Sequence, residues 1–126
     1  MQCPVLLQNK NNTLPISSNI GSLAIIGALA DDGDNQIGTW AIDGRAQDSI
    51  TPLTSLKAAL TNTNIKFAQG YKTAQSTDTS LIAEAVSAAS SADKVLLFVG
   101  ESNNMSGEAA ARAYINLPGC QEDLVK

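Results

Sequence analysis

No histidine occurs among the 126 residues. That excludes Ser-His-Asp and Cys-His catalysis within the chain and removes the commonest metal ligand. Aromatic residues make up only 4%, so a core has to be built mostly from Ala, Leu, Ile and Val. Eight lysines and arginines face twelve aspartates and glutamates, a net charge of −4, and the basic residues form no cluster. A phosphate-tracking surface for nucleic acid is therefore not expected. No apolar run approaches the ~20 residues that cross a bilayer, so no membrane association is expected. The opening stretch, MQCPVLLQNK, has neither a charged n-region nor a long apolar h-region and does not read as a signal peptide. There are two cysteines, Cys3 and Cys120. They pair if the fold brings the chain ends together; two separate thiols is the simpler expectation.

What the chain does have is alternation. Leu23-Ala24-Ile25-Ile26-Gly27 and Val95-Leu96-Leu97-Phe98-Val99-Gly100 are short apolar runs closed by glycine, the pattern of strands buried on both faces. Ile65-Lys66-Phe67-Ala68, closed by Gly70, is a weaker third strand. Helices fall between them. Thr51 suits an N-cap and Pro52 a first helical position, and Leu53, Leu56 and Leu60 recur at helical spacing. Ser80 to Ala92 carries Ile82, Ala85, Val86 and Ala89 on one face, and Pro118 opens a last helical segment. Strands alternating with helices predict an α/β fold, a three-layer sandwich around a mostly parallel sheet with right-handed crossovers. Three strands are few for that class, so the sheet is expected to be incomplete in this chain.

Two connections are long: Asp31 to Ser49 and Glu101 to Leu117. Both follow the C-terminal end of a predicted strand, the edge at which open α/β sheets bind ligands. Glu108 lies on the second, well placed for general acid/base work if burial or a neighbouring negative charge raises its pKa. Glu101 is near enough to supply that charge. The competing reading of Glu108 is a solvated loop carboxylate. Trp40, the only tryptophan, either stacks on the apolar face of a sugar or pins the first long loop to the sheet. Asp31, Asp32 and Asp34 fail the EF-hand spacing and read as a solvated turn rather than a calcium loop. Gly27-Ala28-Leu29-Ala30 lacks the dinucleotide fingerprint, and no Walker A motif occurs. Asn11-Asn12-Thr13 and Asn104-Met105-Ser106 are glycosylation sequons.

Several segments fall in the order of one known family. Val5-Leu6-Leu7-Gln8-Asn9 followed by Thr13-Leu14-Pro15, and Ile25-Ile26-Gly27-Ala28-Leu29-Ala30-Asp31, resemble the entry and first strand of its second domain. Gly38-Thr39-Trp40, the Ser91 to Glu101 strand, and Ser106-Gly107-Glu108-Ala109 through Arg112 to Leu117-Pro118-Gly119-Cys120-Gln121 continue the match. The chain resembles the first half of the C-terminal α/β domain of a family-three glycoside hydrolase of the β-glucosidase type. Ala28 stands where that family has proline, Gln8 where it has lysine, and Ala111 where it has serine.

The resemblance implies hydrolysis of β-linked glucosides or related glycosides with retention, without a cofactor or metal. An N-terminal (β/α)8 barrel, lying outside these residues, would supply an aspartate nucleophile. The present domain would lend the acid/base from its second long loop: Glu108 by position, Glu101 as the second candidate. Trp40 stays a candidate for sugar binding on the reading of its ring given above, beside the packing alternative. Such enzymes are periplasmic or secreted. Alone, the chain is expected to be inactive and open to self-association through a bare sheet edge. The alternative is a non-catalytic, flavodoxin-like binding module. A nucleotide-dependent oxidoreductase is disfavoured by the missing glycine fingerprint.

Overall fold

The computed structural model describes residues 4–126. Three strands form one parallel sheet: β1 (Ser22–Ile26), β2 (Asn64–Ala68) and β3 (Lys94–Leu97), in the order β2-β1-β3. Four helices accompany them: α1 (Gly33–Ile37), α2 (Pro52–Ala59), α3 (Ile82–Ser90) and α4 (Gln121–Val125).

β1 is central because it can be buried on both faces. Leu23, Ala24, Ile25 and Ile26 are all buried, with Leu23 and Ile25 pointing to one face and Ala24 and Ile26 to the other. On the first face Leu23 and Ile25 pack with Ala30 and Leu53 of α2, flanked by Leu56, Ile65 and Phe67. On the second, Ala24, Ile26 and Ala68 meet Ala85 of α3, with Ala88, Ala89, Ala92 and Leu124 beside them. The alanines let α3 approach the sheet closely. Helices on both faces of the sheet make the three-layer α/β sandwich that the alternation predicts.

The topology follows from one crossover hand. From β1 the chain crosses over α2 to β2 on one side. From β2 it returns over α3, on the opposite face, to β3 on the other side of β1. Reversing both direction and face keeps the hand the same, as parallel crossovers require. The N-terminal ends of β1 and β3 are tied by a reciprocal bond. The Asp93 carboxylate accepts from Ser22 N at 2.8 Å and from Ser22 Oγ at 2.9 Å, and Ser22 Oγ accepts from Asp93 N at 2.9 Å.

Thr51 caps α2 as expected, accepting from Thr54 N at 3.3 Å, with Pro52 at the first position. Other boundaries shift inward. The third strand ends at Leu97 rather than Gly100, and α3 spans Ile82–Ser90. The last helix starts at Gln121, not Pro118, because Gly119 adopts φ 59 and breaks the backbone between them. Two expectations about the core change. Valine is missing from the buried set among the described residues, and Tyr71 is fully buried. Val86, expected on the packed face of α3, is 53% exposed with Val95 and Leu97. No strand lies outside β3 among the described residues to cover them. The proposed pairing of Cys3 with Cys120 involves a residue outside those described. Cys120 itself is buried, its Sγ 3.4 Å from Asp78 O.

Candidate functional site

β1 and β3 are neighbours, but the helices reached through their outgoing loops pack on opposite faces: α2 through Leu53, α4 through Leu124. Their outgoing loops therefore part above the sheet, the topological switch point at which α/β folds bind ligands. These are the two long loops singled out by length.

The first loop leaves β1 at Gly27, whose φ of 113 no L-side chain adopts easily and whose added Cβ would overlap the Phe98 carbonyl. The acidic cluster follows, with ordinary structural duties. Asp32 caps α1, accepting from Asn35 N at 3.0 Å, and Asp31 accepts from Thr51 Oγ1 at 2.8 Å. No group of three or more candidate metal ligands occurs among the described residues.

The second loop is anchored at its root by two buried side chains. Tyr71 donates to Phe98 O at 2.8 Å and accepts from Leu29 N at 3.4 Å, so one hydroxyl touches both loops. Burial pushes its pKa up. Gln121, wholly buried, accepts from Gly100 N at 2.7 Å and donates to Gly100 O at 2.9 Å and Ala74 O at 2.8 Å. Further out, the loops hold each other. Asn103 N donates to Asn35 Oδ1 at 2.6 Å, Asn103 Nδ2 donates to Asp34 O at 3.3 Å, and Thr39 Oγ1 donates to Asn103 O. Between them opens a polar crevice of about 410 Å³ whose lining includes Asp32, Asp34, Asn35, Lys72, Gln75 and Asn103.

Glu108 sits at the tip. It is exposed, on a tight turn closed by Ala110 N donating to Gly107 O at 3.2 Å. Gly107 has φ 127 and Ala109 φ 59, a left-handed conformation that alanine seldom adopts. A Cβ at Gly107 would lie 3.8 Å from the Thr39 side chain. Trp40 and Glu108 each follow a residue at this approach of the two loops, Thr39 and Gly107. Trp40 is 71% exposed, so it does not pin its loop; Thr39 does.

Glu101 is differently placed. Its carboxylate accepts from Ser106 Oγ at 2.6 Å and from Arg112 Nη1 at 2.5 Å. Arg112 Nη2 continues to Asn116 O at 2.8 Å. The Ser106 hydroxyl first, and then the Arg112 guanidinium, hold the Glu101 pKa below the usual carboxylate value. Its negative charge is compensated by Arg112 rather than left bare to act on Glu108. Thr39, Ser106, Arg112 and Gln121 stand inside the family-like motifs, but nothing in their spacing marks them as supports of the loops; Asn103 lies outside those motifs and carries no such signal.

The sequence matches the model of the "Glycosyl hydrolase family 3 C-terminal domain" over residues 4–126. The chain belongs to this family. Among its relatives, a periplasmic beta-glucosidase of Salmonella typhimurium is 35% identical over 96% of the chain and 18% of the relative. A probable exo-1,4-beta-xylosidase of Aspergillus terreus is 36% identical over 96% of the chain and 14% of the relative. A solved beta-glucosidase from Listeria innocua, in complex with glucose, superposes with a TM-score of 0.79 at 30% identity, over 97% of the chain and 16% of that structure. The chain thus spans less than a fifth of the length of these family 3 enzymes. The superposition extends the match to the α/β fold with its parallel sheet. No helix among the described residues is long and apolar enough to cross a membrane.

Proposed function

We propose that this family 3 domain works as part of a retaining β-glycosidase, with Glu108 as the acid/base and an aspartate on a (β/α)8 barrel domain as nucleophile. The observation that carries this reading is the turn Gly107–Ala110, which holds a bare carboxylate out at the ligand-binding edge of the sheet on a strained backbone. Strain of that kind persists where the surrounding structure enforces it, often at active sites.

Glu108 protonates the leaving glycosidic oxygen while the barrel aspartate attacks the anomeric carbon. It then removes a proton from the incoming water. The two carboxyl groups must come to about 5–5.5 Å, the separation of retaining enzymes. A working acid also needs its pKa raised by apolar cover or a nearby negative charge. Glu108 is exposed on this domain, so the cover has to come from the barrel side, where the nucleophile's own charge adds to it. The exposed indole of Trp40, on the neighbouring loop, offers a face for a pyranose ring at the same edge. The substrate class is a β-glucoside or β-xyloside, in line with what the relatives are named for, and the compartment is the periplasm or outside the cell.

The test is Glu108→Gln in the full-length protein that contains this domain. The two substrates are aryl β-glucosides with a good and a poor leaving group, each assayed with and without azide. Turnover of the poor leaving group should fall by about 10²–10⁴-fold, and azide should restore turnover of the good one as glycosyl azide. Near wild-type rates on both would remove Glu108 from the mechanism.

A further inference from the structure

The turn that carries Glu108 has a closed base. Ser106 precedes the turn and Arg112 follows it, so residues 107–111 lie between two groups bound to one carboxylate. Glu101 Oε2 accepts from Ser106 Oγ at 2.6 Å, and Oε1 accepts from Arg112 Nη1 at 2.5 Å. Arg112 is itself braced by Asn116, through the carbonyl at 2.8 Å and Oδ1 at 3.1 Å. Glu101 in turn follows Gly100, whose N–H and carbonyl are both held by the buried Gln121. Hydrogen bonds joined through the Gly100–Glu101 peptide link therefore connect the core to both ends of a five-residue tip. Both bonds to the carboxylate are charge-assisted, hence short and strong, and they come from opposite sides of the tip. The tip needs such a clamp. Its Gly107 and Ala109 both have positive φ, and the turn offers no apolar side chain large enough to pack it down.

We propose that Glu101 is a positioning residue, whose carboxylate cross-links Ser106 and Arg112 and thereby aims Glu108 at the glycosidic oxygen. This rests on the reading of Glu108 as the acid/base. It assigns Glu101 the work of holding the turn, in place of proton transfer. The tie acts through geometry, and a misplacement of about 1 Å can cost on the order of 10²-fold in rate. Charge neutralisation at Glu101 should therefore lower turnover without touching the groups that bind sugar.

The experiment uses the full-length protein and compares Glu101→Gln, Glu108→Gln and the double variant on the same pair of aryl glucosides. Amide hydrogen exchange over residues 102–116 is followed alongside. Glu101→Gln should lower kcat for the poor leaving group by about 10- to 100-fold with KM little changed. It should speed exchange in the loop, and it should have no further effect on kcat once Glu108 is already glutamine. That last non-additivity is the mark of a residue acting through another. Arg112→Lys, which keeps the charge but loses the second guanidinium nitrogen bound to Asn116, should give a smaller loss of the same kind. It also serves if Glu101→Gln does not fold.

Three results overturn the proposal. Additive losses in the double variant would make Glu101 a general stabilising residue. Wild-type rates and exchange in Glu101→Gln would make the tie ornamental. Full azide rescue in Glu101→Gln, with Glu108→Gln active, would make Glu101 the acid/base itself. A harmless Glu108→Gln together with faster loop exchange in Glu101→Gln would overturn the assignment of Glu108 while leaving the clamp real, so the two claims fail separately.

Discussion

Gln121 and Gly27 show how single residues set the shape of the site from below. Gln121 is fully buried and satisfies three backbone groups, Gly100 N, Gly100 O and Ala74 O. Removing its amide would strand those groups away from water, and each buried polar group left unpaired costs about 1–3 kcal/mol. Gln121→Met, similar in shape but unable to make these bonds, should lower stability by roughly 3 kcal/mol, read from the urea midpoint with the slope unchanged. Gly27 acts by what it lacks. At φ 113 an alanine is strained, and its Cβ would overlap the Phe98 carbonyl where β1 and β3 diverge. Gly27→Ala should therefore destabilise by about 3 kcal/mol or more, since backbone strain and steric overlap add. A midpoint within experimental error of wild type would show that the two strands can part without cost.

Among the elements, the 101–116 loop carries its own pH dependence. The Glu101 pKa lies below its ordinary value of 4.5 because Ser106 and Arg112 bind the charged form. A depressed carboxylate pKa contributes order that is fully present above the unfolded value and lost as pH falls through the folded one. The protection of amides in residues 102–116, taken relative to their intrinsic exchange rate at each pH, should thus be unchanged from neutral pH down to about 4.5 and fall below it. Glu101→Gln should abolish that step; a step that survives the substitution would have to come from another carboxylate. The elements themselves were largely legible in sequence. Apolar runs marked β1 and β3, and Thr51-Pro52 marked the start of α2, because burial and capping leave local signatures. Strand order was not legible, since nothing local says whether β3 lies beside β1 or β2. Nor was the fate of Val86: periodicity gives a helix its apolar stripe but not how much of the stripe finds a partner. The two long loops were recognisable as loops, and Glu108 as a candidate. The Glu101–Arg112 ion pair was not, because irregular backbone has no period from which two residues eleven apart can be seen to meet.

At the scale of the whole molecule, the outer side of β3 sets how this chain behaves by itself. The strand has no neighbour beyond it among the described residues, and Val95 and Leu97 are 44% and 37% exposed beside Val86 and Leu124. Unpaired backbone groups next to an apolar groove favour pairing with another copy. Two features oppose it: the strand is only four residues long, and it begins with Lys94, a charge at the edge. Four residues still offer several backbone hydrogen bonds, and edge-to-edge pairing would bury the valine and leucine as well. We expect these contributions to outweigh the protection at high concentration. Sedimentation of the chain alone should show a concentration-dependent shift to dimers or larger species. Val95→Lys with Leu97→Lys should suppress the shift by placing charge on the groove while leaving Leu23, Ile25 and the far face of the sheet intact. On the proposed mechanism, which assigns the nucleophile to a barrel domain, the same preparation should not cleave aryl β-glucosides. A monomer at every concentration would mean that the short strand and Lys94 are protection enough. Hydrolysis by the isolated chain would mean that the nucleophile lies on this domain, and the two-domain mechanism would have to be abandoned.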